Sequence, residues 1–580
     1  MTARLSRIWR AVPTVTIAAA VFVFAWLFRF NDPGGAFAFL TDDHFFYLVR
    51  AWQILFGELP VRDFVDHGAP LFYYVGAAVQ LLFGRGTLSE IVFCVTVLAA
   101  CAVGVFLLAT RASGSRLLGL AAALFHVLLQ PRFYNYPKIL VYVVAIPALW
   151  AFADRPTWRR GALLAFITVV AFLFRHDHGP FVAVAFATLL VLLRSLPWRQ
   201  RLTHALVYGV FVLALLAPYL VFIEMNGGLA FYFRVAAAWA ERDRDRAEVV
   251  WPGLFDNPDG VSEAARTHGG VTRAAAVVQD NWVAWLFYGE LALPIVCILM
   301  ALSSPTAFRP GWPNAPAKVG SVAVLGLVLN AGFLRAPLAA RLADPSVPHA
   351  ILLAWLPVAV GALLWRADLL RVAVRRPLVA RAAAGAALIV AVLLLAVFWL
   401  TATQNMHDRL DKASLAGSPG AATERATSMW HRIGEAFPIS RAMVDEDDSV
   451  MALAYYVHVC TQPTQRVFMQ EYLPQVAALA ERGFAGGHAD LRPGFFTTDE
   501  MQRLTISRLK RQDVPMVFVG AGDSLGGFRE SFPLIAAYFD AHYRSVGERE
   551  FDGRFRIRLL LRKEVQSAGV FEPLGWPCLR

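Results

Sequence analysis

The feature that most constrains this chain is a series of apolar segments close to the 20 residues that span a bilayer. Hydrophobic residues make up 57% of the 580 residues and charged residues only 17%, whereas soluble domains have about 45–50% and about 25%. This composition excludes a disordered chain and argues against a cytosolic enzyme. It predicts a polytopic α-helical membrane protein with about 11 transmembrane helices. Their apolar blocks lie near 11–30, 90–110, 116–131, 137–153, 160–175, 179–194, 204–224, 281–303, 318–336, 348–366 and 380–402.

A twelfth block at 70–84 is too short to be assigned as a span by length alone, and the basic residues decide its interpretation. If it does not cross, the loops on the N-terminal side hold 18 Arg and Lys residues, and the shorter segments on the other side hold eight. The positive-inside rule then places the N-terminus in the cytoplasm and the C-terminus outside. If 70–84 crossed, the loop 366–381 with its five arginines would face outward. We therefore expect a multi-pass protein of the plasma (inner) membrane of a bacterial cell envelope, with 70–84 as a half-helix on the outer face.

The net charge of +11 does not indicate a nucleic-acid partner. The 49 Arg and five Lys residues lie mostly in short loops between apolar blocks, not on one face or tail. A nucleic-acid-binding protein would cluster them. The distribution instead indicates membrane topology and contact with membrane lipids.

Three large segments are predicted to share the outer side: the loops 31–89 and 225–280 of a transmembrane domain 1–402, and an external domain 403–580. The last is more polar and has the periodicities of a small α/β domain. Buried strands are predicted at RVFMQ and VPMVFVG, and RFRIRLLLRKE opens with the alternation of a strand. Amphipathic helices are predicted at DEMQRLTISRLKRQ and PLIAAYFDAHY. Cys460 and Cys578 are its only cysteines, and a disulfide between them is expected in an oxidising compartment.

The loop 31–89 carries the candidate chemistry. Asp42 and Asp43 precede apolar residues at helical spacing, which predicts an amphipathic helix on the membrane surface; these residues are Phe45, Leu48, Val49, Trp52 and Phe56. A second acidic cluster, Asp63 and Asp66 beside His67, comes just before the half-helix. Carboxylates at this position suit general-base work on a hydroxyl. The alternative is a solvated loop whose carboxylates only cap helices. For Asp63 the capping role and the functional role are equally open, whereas for the Asp42–Asp43 pair the surroundings favour a functional role.

Three motifs in this order resemble the GT-C superfamily of membrane glycosyltransferases, which includes the protein O-mannosyltransferases and the lipid A aminoarabinose transferases. They are Asp42-Asp43-His44-Phe45, the Arg-Asp-Phe-x-Asp-His turn ending at His67, and the Pro-Leu-x-Tyr-Tyr start of the half-helix. The resemblance covers about the first 200 residues. The chain departs from the family in having Asp-Asp instead of Asp-Glu, and His67-Gly68-Ala69-Pro70 instead of a His-Pro-Pro type of sequence. The subfamily therefore stays open.

The resemblance implies a glycosyltransferase that uses a polyprenyl-phosphate sugar donor. An acceptor hydroxyl on a glycan, lipid or protein attacks the anomeric carbon with inversion, and a carboxylate takes the proton; Asp42 matches the catalytic position. The leaving phosphate needs cations and hydrogen-bond donors. The candidates at the predicted outer ends of spans are Lys138, Arg175, Asp177, His178, Arg341 and His349, together with Asp66 and His67. The alternative for the cations is contact with lipid headgroups.

Other readings remain open beside this one. A glycan polymerase or ligase would use the same groups, and a multi-pass transporter or lipid flippase would show inverted halves, which the sequence lacks.

Glu290 lies well inside a predicted span, where either a function or a hydrogen bond within the bundle could retain it. Gly522-Asp523-Ser524-Leu525 follows a strand as in one family of serine esterases, but Asp540-Ala541-His542 is one residue short of the partner motif. No cofactor is expected, and a divalent metal is compatible but not indicated by any ligand spacing.

Overall fold

The apolar blocks form helices in the computed structural model, which describes residues 13–31, 42–245, 251–254, 281–303, 312–335, 339–365, 406–444, 446–521 and 527–580. Ten of the eleven predicted blocks each coincide with one helix. These helices are Thr14–Phe30, Thr87–Ser113, Arg116–Leu128, Tyr136–Asp154, Trp158–Phe174, His178–Leu192, Trp198–Asn226, Trp282–Ser303, Ala315–Arg335 and Ser346–Trp365. The eleventh block at 380–402, the loop 366–381 and the N-terminal arginines lie outside the described residues. Five helices in the described part are long and apolar enough to cross a membrane.

Small residues allow these helices to approach one another closely. A Cβ atom added to Gly104 would lie 2.3 Å from Cγ1 of Val143 on helix Tyr136–Asp154. One added to Gly320 would lie 2.3 Å from Cδ1 of Leu192 on helix His178–Leu192. Close approach at glycine is typical of helix packing in membranes, where dispersion contacts take the place of the hydrophobic driving force.

The chain divides into two compact units. The helical unit comprises Met1–Asp32, Cys94–Pro218 and Ala240–Arg425. The mixed unit comprises Pro33–Phe93, Tyr219–Trp239 and Ala426–Arg580. The acidic loop therefore belongs to the same unit as most of the polar tail, although about 350 residues separate them in sequence.

A group of ion pairs in the helical unit lies at the end of helix Tyr136–Asp154. Arg111 Nη2 lies 3.1 Å from Asp154 Oδ2, and Lys318 Nζ lies 2.5 Å from Asp154 Oδ1. Lys138 is near the start of the same helix. The cations that the sequence assigned to opposite sides of the membrane are thus at opposite ends of this helix.

The mixed unit is built on a five-stranded sheet in the order β2-β1-β3-β5-β4. The strands are β1 Arg466–Met469, β2 Gly483–Phe484, β3 Met516–Gly520, β4 Tyr543–Phe551 and β5 Phe555–Arg562. β1 pairs in parallel with β2 and β3, whereas β5 is antiparallel to β3 and β4. A separate pair is formed by β6 Gly569–Phe571 and β7 Trp576–Cys578. The sheet is accompanied by the helices Asp42–Leu55, Pro70–Phe83, Leu229–Asp245, Val450–Cys460, Pro474–Leu479, Asp499–Leu509, Phe528–Ser531 and Pro533–His542. The described residues also form the helices Met406–Lys412 and Pro419–Glu435.

Local sequence explains where the tail helices begin. The Thr498 hydroxyl accepts a hydrogen bond from Met501 N, with Asp499 and Glu500 in the first turn, and Ser449 caps the helix Val450–Cys460 in the same way. Side-chain caps and early acidic residues satisfy the exposed N–H groups of a helix start. Both predicted helices and all three predicted strands of the tail are confirmed, and so is the disulfide between Cys460 and Cys578. The Gly522–Gly526 segment lies outside the described residues; Asp540 forms an exposed pair with Arg529 at 2.6 Å.

The predicted surface helix is present as Asp42–Leu55, but its apolar face is buried in the protein. Phe45, Leu48, Val49 and Trp52 are each at most 3% exposed. Trp52 donates from its indole to Gln80 Oε1 at 3.3 Å and packs against Phe437. The helix packs on the half-helix Pro70–Phe83 and on Pro474–Leu479, and these contacts bury its apolar face. Packing within the protein therefore explains its amphipathic periodicity without a membrane surface.

Candidate active site

The aspartate pair begins the helix Asp42–Leu55. Asp42 is its first residue, and its side chain lies outside the described part of the structure. Asp43 Oδ1 accepts a hydrogen bond of 2.6 Å from the hydroxyl of Tyr472. Burial and the neighbouring Asp43 raise the pKa of Tyr472 above its usual range, so this hydroxyl stays protonated and donates.

Tyr472 is itself held by charged residues of the tail. The Arg492 guanidinium carbon lies 4.4 Å from the centre of the Tyr472 ring, and Arg492 Nε donates to Asp490 Oδ2 at 2.8 Å. Asp490 is 5% exposed. We call the set of Asp43, Tyr472, Asp490, Arg492 and Arg50 the acidic cluster.

Arg50 brings a buried cation to the acidic cluster. It is 1% exposed, its guanidinium lies 3.4 Å from the Phe46 ring centre, and among the described residues its one hydrogen bond goes from Nη1 to Phe46 O at 2.7 Å. Its Nε has no hydrogen-bond partner among the described residues. Burial lowers the pKa of Arg50, against the opposing influence of Tyr73 and Asp490. A buried cation without an ion-pair partner is costly and is often retained for a charged ligand.

Asp63 and Asp66, the second acidic motif, accept hydrogen bonds from backbone and side-chain groups in and around the loop 31–89. Asp66 Oδ1 accepts from Gly68 N and Ala69 N at 2.9 and 3.0 Å, and Oδ2 accepts from the hydroxyls of Tyr219 and Tyr232 at 2.7 and 2.9 Å. Asp63 Oδ2 accepts from Leu59 N and from Arg62. Burial opposes ionisation of Asp63, but the hydrogen bonds from Arg62 and Leu59 N and the charges of Arg62 and Arg508 together outweigh it, so the pKa of this carboxyl is lowered. For both aspartates these contacts support the structural reading, and a role for Asp66 in substrate binding stays a prediction.

His67 lies between aromatic rings, 4.9 Å from the centre of Phe46 and 6.2 Å from that of Phe496. Burial, followed by the positive charge of Arg50, lowers the pKa of His67 well below its usual range. The imidazole is therefore neutral at physiological pH. It can accept or donate one hydrogen bond, but it supplies no positive charge for a phosphate.

Four of the predicted phosphate-binding residues lie close together in the helical unit, and Asp344 joins them; the four are Lys138, Arg175, Asp177 and His178. Lys138 Nζ donates to Asp344 Oδ2 at 2.6 Å, and Asn135 donates to Asp344 Oδ1 at 3.0 Å. Arg175 Nε lies 3.0 Å from Asp177 Oδ1, and both residues are within electrostatic range of Lys138. His178 Nε2 lies 3.5 Å from Asp177 Oδ1, and its Nδ1 is hydrogen-bonded to the hydroxyl of Tyr142.

Two further candidates of the helical unit have backbone partners. His349 is fully buried, with Nδ1 2.7 Å from Pro345 O and Nε2 2.6 Å from Glu290 O. Arg341 Nη1 donates to Gly332 O at 3.3 Å. The carboxyl group of Glu290 is fully buried, and neither of its oxygens has a hydrogen-bond partner among the described residues.

Sequence reasoning missed the partners of Asp43. Tyr472 and Arg492 come from the tail, 429 and 449 residues further along the chain. A signal was present, because Glu471 and Tyr472 directly follow the predicted strand β1. Functional side chains commonly lie at the carboxyl ends of parallel strands. The ion pair of Asp344 with Lys138 was not predicted either, since nothing in the sequence connects the two residues.

Comparison with known proteins gives a structural likeness only. No protein-family profile matches the chain, and neither does any curated protein. A crystal structure of ArnT from Cupriavidus metallidurans bound to undecaprenyl phosphate is similar, with 14% identity and a TM-score of 0.47, over 94% of this chain and 97% of that one. The apo structure of the same protein gives 14% identity and a TM-score of 0.44 over the same shares.

Proposed function

We propose that this protein is a glycosyltransferase that moves a sugar from a polyprenyl-phosphate donor to a hydroxyl of a glycan, lipid or protein on the outer face of the plasma membrane. The observation that carries the proposal is the aspartate pair at the start of helix Asp42–Leu55. Asp43 of that pair is held at 2.6 Å by a tyrosine, in a cluster that also contains a buried arginine. Carboxylates at the start of this helix suit a general base, and by the resemblance that base is Asp42. The order of motifs in the first 90 residues, which resembles the GT-C superfamily, supports the same reaction.

In the proposed reaction the acceptor oxygen attacks the anomeric carbon as the bond from that carbon to the phosphate oxygen breaks. The acceptor proton passes to Asp42, and the bonding electron pair leaves with the polyprenyl phosphate. A single displacement of this kind inverts the anomeric centre. Lys138 and Arg175 would stabilise the leaving phosphate, since each brings a cation to the predicted outer end of a span. The substrate would then have to compete with Asp344 and Asp177 for these cations.

The location on the outer face has its own support. Cys460 and Cys578 are joined in a disulfide, and disulfides persist in oxidising compartments such as the periplasm. The charge asymmetry of the loops gives the same orientation.

Replacement of the base tests the proposal. Full-length protein in nanodiscs would be supplied with a radiolabelled polyprenyl-phosphate sugar and with envelope extract as acceptor. Asp42→Asn is expected to reduce transfer about a hundred- to ten-thousandfold, the usual loss for a general base, without loss of donor binding. Asp43→Asn should be damaging but less so. Asp499→Asn, on an exposed carboxylate of the tail, is the matched control and should keep wild-type turnover.

The outcomes separate the alternatives. If Asp43→Asn is inactive while Asp42→Asn is not, the roles within the pair are reversed. If both variants retain activity, the mechanism is wrong. Comparison of envelope glycans by mass between a deletion strain and its complement would identify the acceptor, and a ladder of glycan lengths would favour a polymerase.

A second candidate function, a transporter or lipid flippase, is favoured by Glu290. A fully buried carboxyl without a hydrogen-bond partner among the described residues, inside an apolar helix, is typical of ion or proton pathways. Glu290→Gln should leave sugar transfer unchanged if the protein is a transferase. Loss of lipid or proton flux in proteoliposomes, with no transferase activity in the wild type, would establish the transporter instead.

A further inference from the structure

The tail contacts the aspartate pair through one short hydrogen bond. Tyr472 donates to Asp43 Oδ1 at 2.6 Å. Tyr472 stands three residues beyond the end of β1, the strand that lies between β2 and β3 in the parallel part of the sheet. The sheet therefore fixes the backbone from which this hydroxyl reaches the helix Asp42–Leu55.

Other tail residues hold the tyrosine ring. Arg492 lies over the ring at 4.4 Å, and Asp490 fixes Arg492 through a 2.8 Å ion pair. Phe46, on the same helix as Asp43, has its ring centre 6.0 Å from that of Tyr472. The position of the Asp43 carboxylate thus depends on a chain of contacts that runs through Tyr472 and Arg492 to Asp490.

We propose that Tyr472 and Arg492 are positioning residues for the aspartate pair, so that the α/β tail is a working part of the catalytic site. This inference rests on the proposed glycosyltransferase function. A donor that cannot lose its proton at physiological pH fixes the direction of the Asp43 carboxylate. Because Asp42 and Asp43 are adjacent, fixing one restrains the backbone that carries the other. Residues that orient a reacting group in this way typically contribute about ten- to a hundredfold to activity.

Tyr472→Phe in the full-length protein removes only the donor hydroxyl. We expect kcat to fall about ten- to a hundredfold with little change in KM. A loss that lowers kcat and kcat/KM equally is expected for a residue that positions the reacting groups in the transition state. The other ionisable groups around Tyr472 are Asp490, Arg492 and Arg50, with His67 across the Phe46 ring; all are unchanged in the variant. Arg492→Met should give a smaller change in the same direction.

Tyr456→Phe is the matched control. Tyr456 is a buried tyrosine of the same unit, and its hydroxyl donates to Pro577 O at 2.6 Å, away from the aspartates. Tyr456→Phe should lose a similar amount of thermal stability but keep the wild-type kcat and KM. Tyr472→Phe should also add little to Asp43→Asn, because the two residues act through one bond.

The results can overturn the inference without ambiguity. A wild-type kcat for Tyr472→Phe, or an effect that adds fully to that of Asp43→Asn, would show that the tyrosine is only structural. If the wild-type protein transfers no sugar, the proposed function fails. The contact is then tested by the same double-mutant cycle on Tm, where independent effects of the two substitutions would overturn the positioning role.

Discussion

At the scale of single residues, we expect opposite behaviour from Arg482 and Arg50, two of the buried arginines of the mixed unit. Arg482 donates to the Thr461 hydroxyl at 2.8 Å and to backbone oxygens of Ala480, His458 and Thr461 at 2.7 to 2.8 Å. Arg50 has one hydrogen bond, to a carbonyl of its own helix, and an Nε without a partner among the described residues. The first arginine is satisfied by the fold, and the second is not.

Arg50→Met should therefore leave the stability unchanged within about 1 kcal/mol or raise it, since removing an uncompensated buried charge is often favourable. Sugar transfer should nevertheless fall at least about tenfold, if the cation is kept for a charged substrate. Thermal melting of the detergent-solubilised protein, together with the nanodisc assay, checks both parts. A loss of several kcal/mol in stability would show that Arg50 is a structural residue.

Arg482→Met is expected to cost about 2–5 kcal/mol, because several buried oxygens lose a charged donor at once. The Tm of the purified protein measures this loss. Arg503→Met, on an exposed arginine of helix Asp499–Leu509, should shift Tm little. Equal shifts in the two variants would contradict the interpretation.

Some residues of the candidate site were predicted from the sequence, and others could not be. Asp42 and Asp43 stood out because acidic residues beside apolar blocks are unusual. Arg50 and Tyr472 did not, because one reads as an ordinary loop cation and the other as the end of a strand. Their importance comes from burial and from long-range contact, and neither property is visible in local periodicity.

At the scale of elements, hydrophobic patterns predicted well the segments whose burial is regular. The apolar blocks became helices, and VPMVFVG became the central strand β3 with four of its five residues buried. The strand β4, YRSVGEREF, was missed because it lies at an edge of the sheet and is mostly polar and exposed. β2 has only two residues and no periodicity to detect.

The disulfide joins two elements that are 118 residues apart, the end of helix Val450–Cys460 and β7. Leu579 N also donates to Cys460 O at 3.1 Å, so the connection is supported by the backbone. Closing so long a loop restricts the unfolded chain, and its loss typically costs about 2–5 kcal/mol. The double variant Cys460→Ser, Cys578→Ser should melt at a lower temperature than the wild type. Reductant should lower the Tm of the wild type to that of the variant and leave the variant unchanged; a wild type insensitive to reductant would contradict a stabilising bond.

At the scale of the whole molecule, segments far apart in sequence form one unit. The mixed unit draws on Pro33–Phe93, Tyr219–Trp239 and Ala426–Arg580. Asp66 illustrates the consequence, because its carboxylate binds hydroxyls 153 and 166 residues away. Sequence patterns assign each segment a type but not a partner, so the loop and the tail were predicted as separate features. Only the folded chain shows that the aspartate pair and the α/β tail share a unit.

Sidedness is the property of the whole molecule on which the proposed function depends, because a polyprenyl-phosphate donor and an envelope acceptor must meet outside. The 18-to-eight asymmetry of basic residues predicts that the loop 366–381 is cytoplasmic and that 403–580 is external. Single cysteines at Ser418 and at Ala373 can test it in intact cells. The background would have Cys94, Cys101 and Cys297 replaced by alanine, with the Cys460–Cys578 disulfide kept. A membrane-impermeant maleimide should label the Ser418→Cys variant in intact cells, and the Ala373→Cys variant only after the cells are opened. The reverse pattern would overturn the eleven-span topology and place the aspartate pair on the side of the membrane where the proposed reaction does not occur.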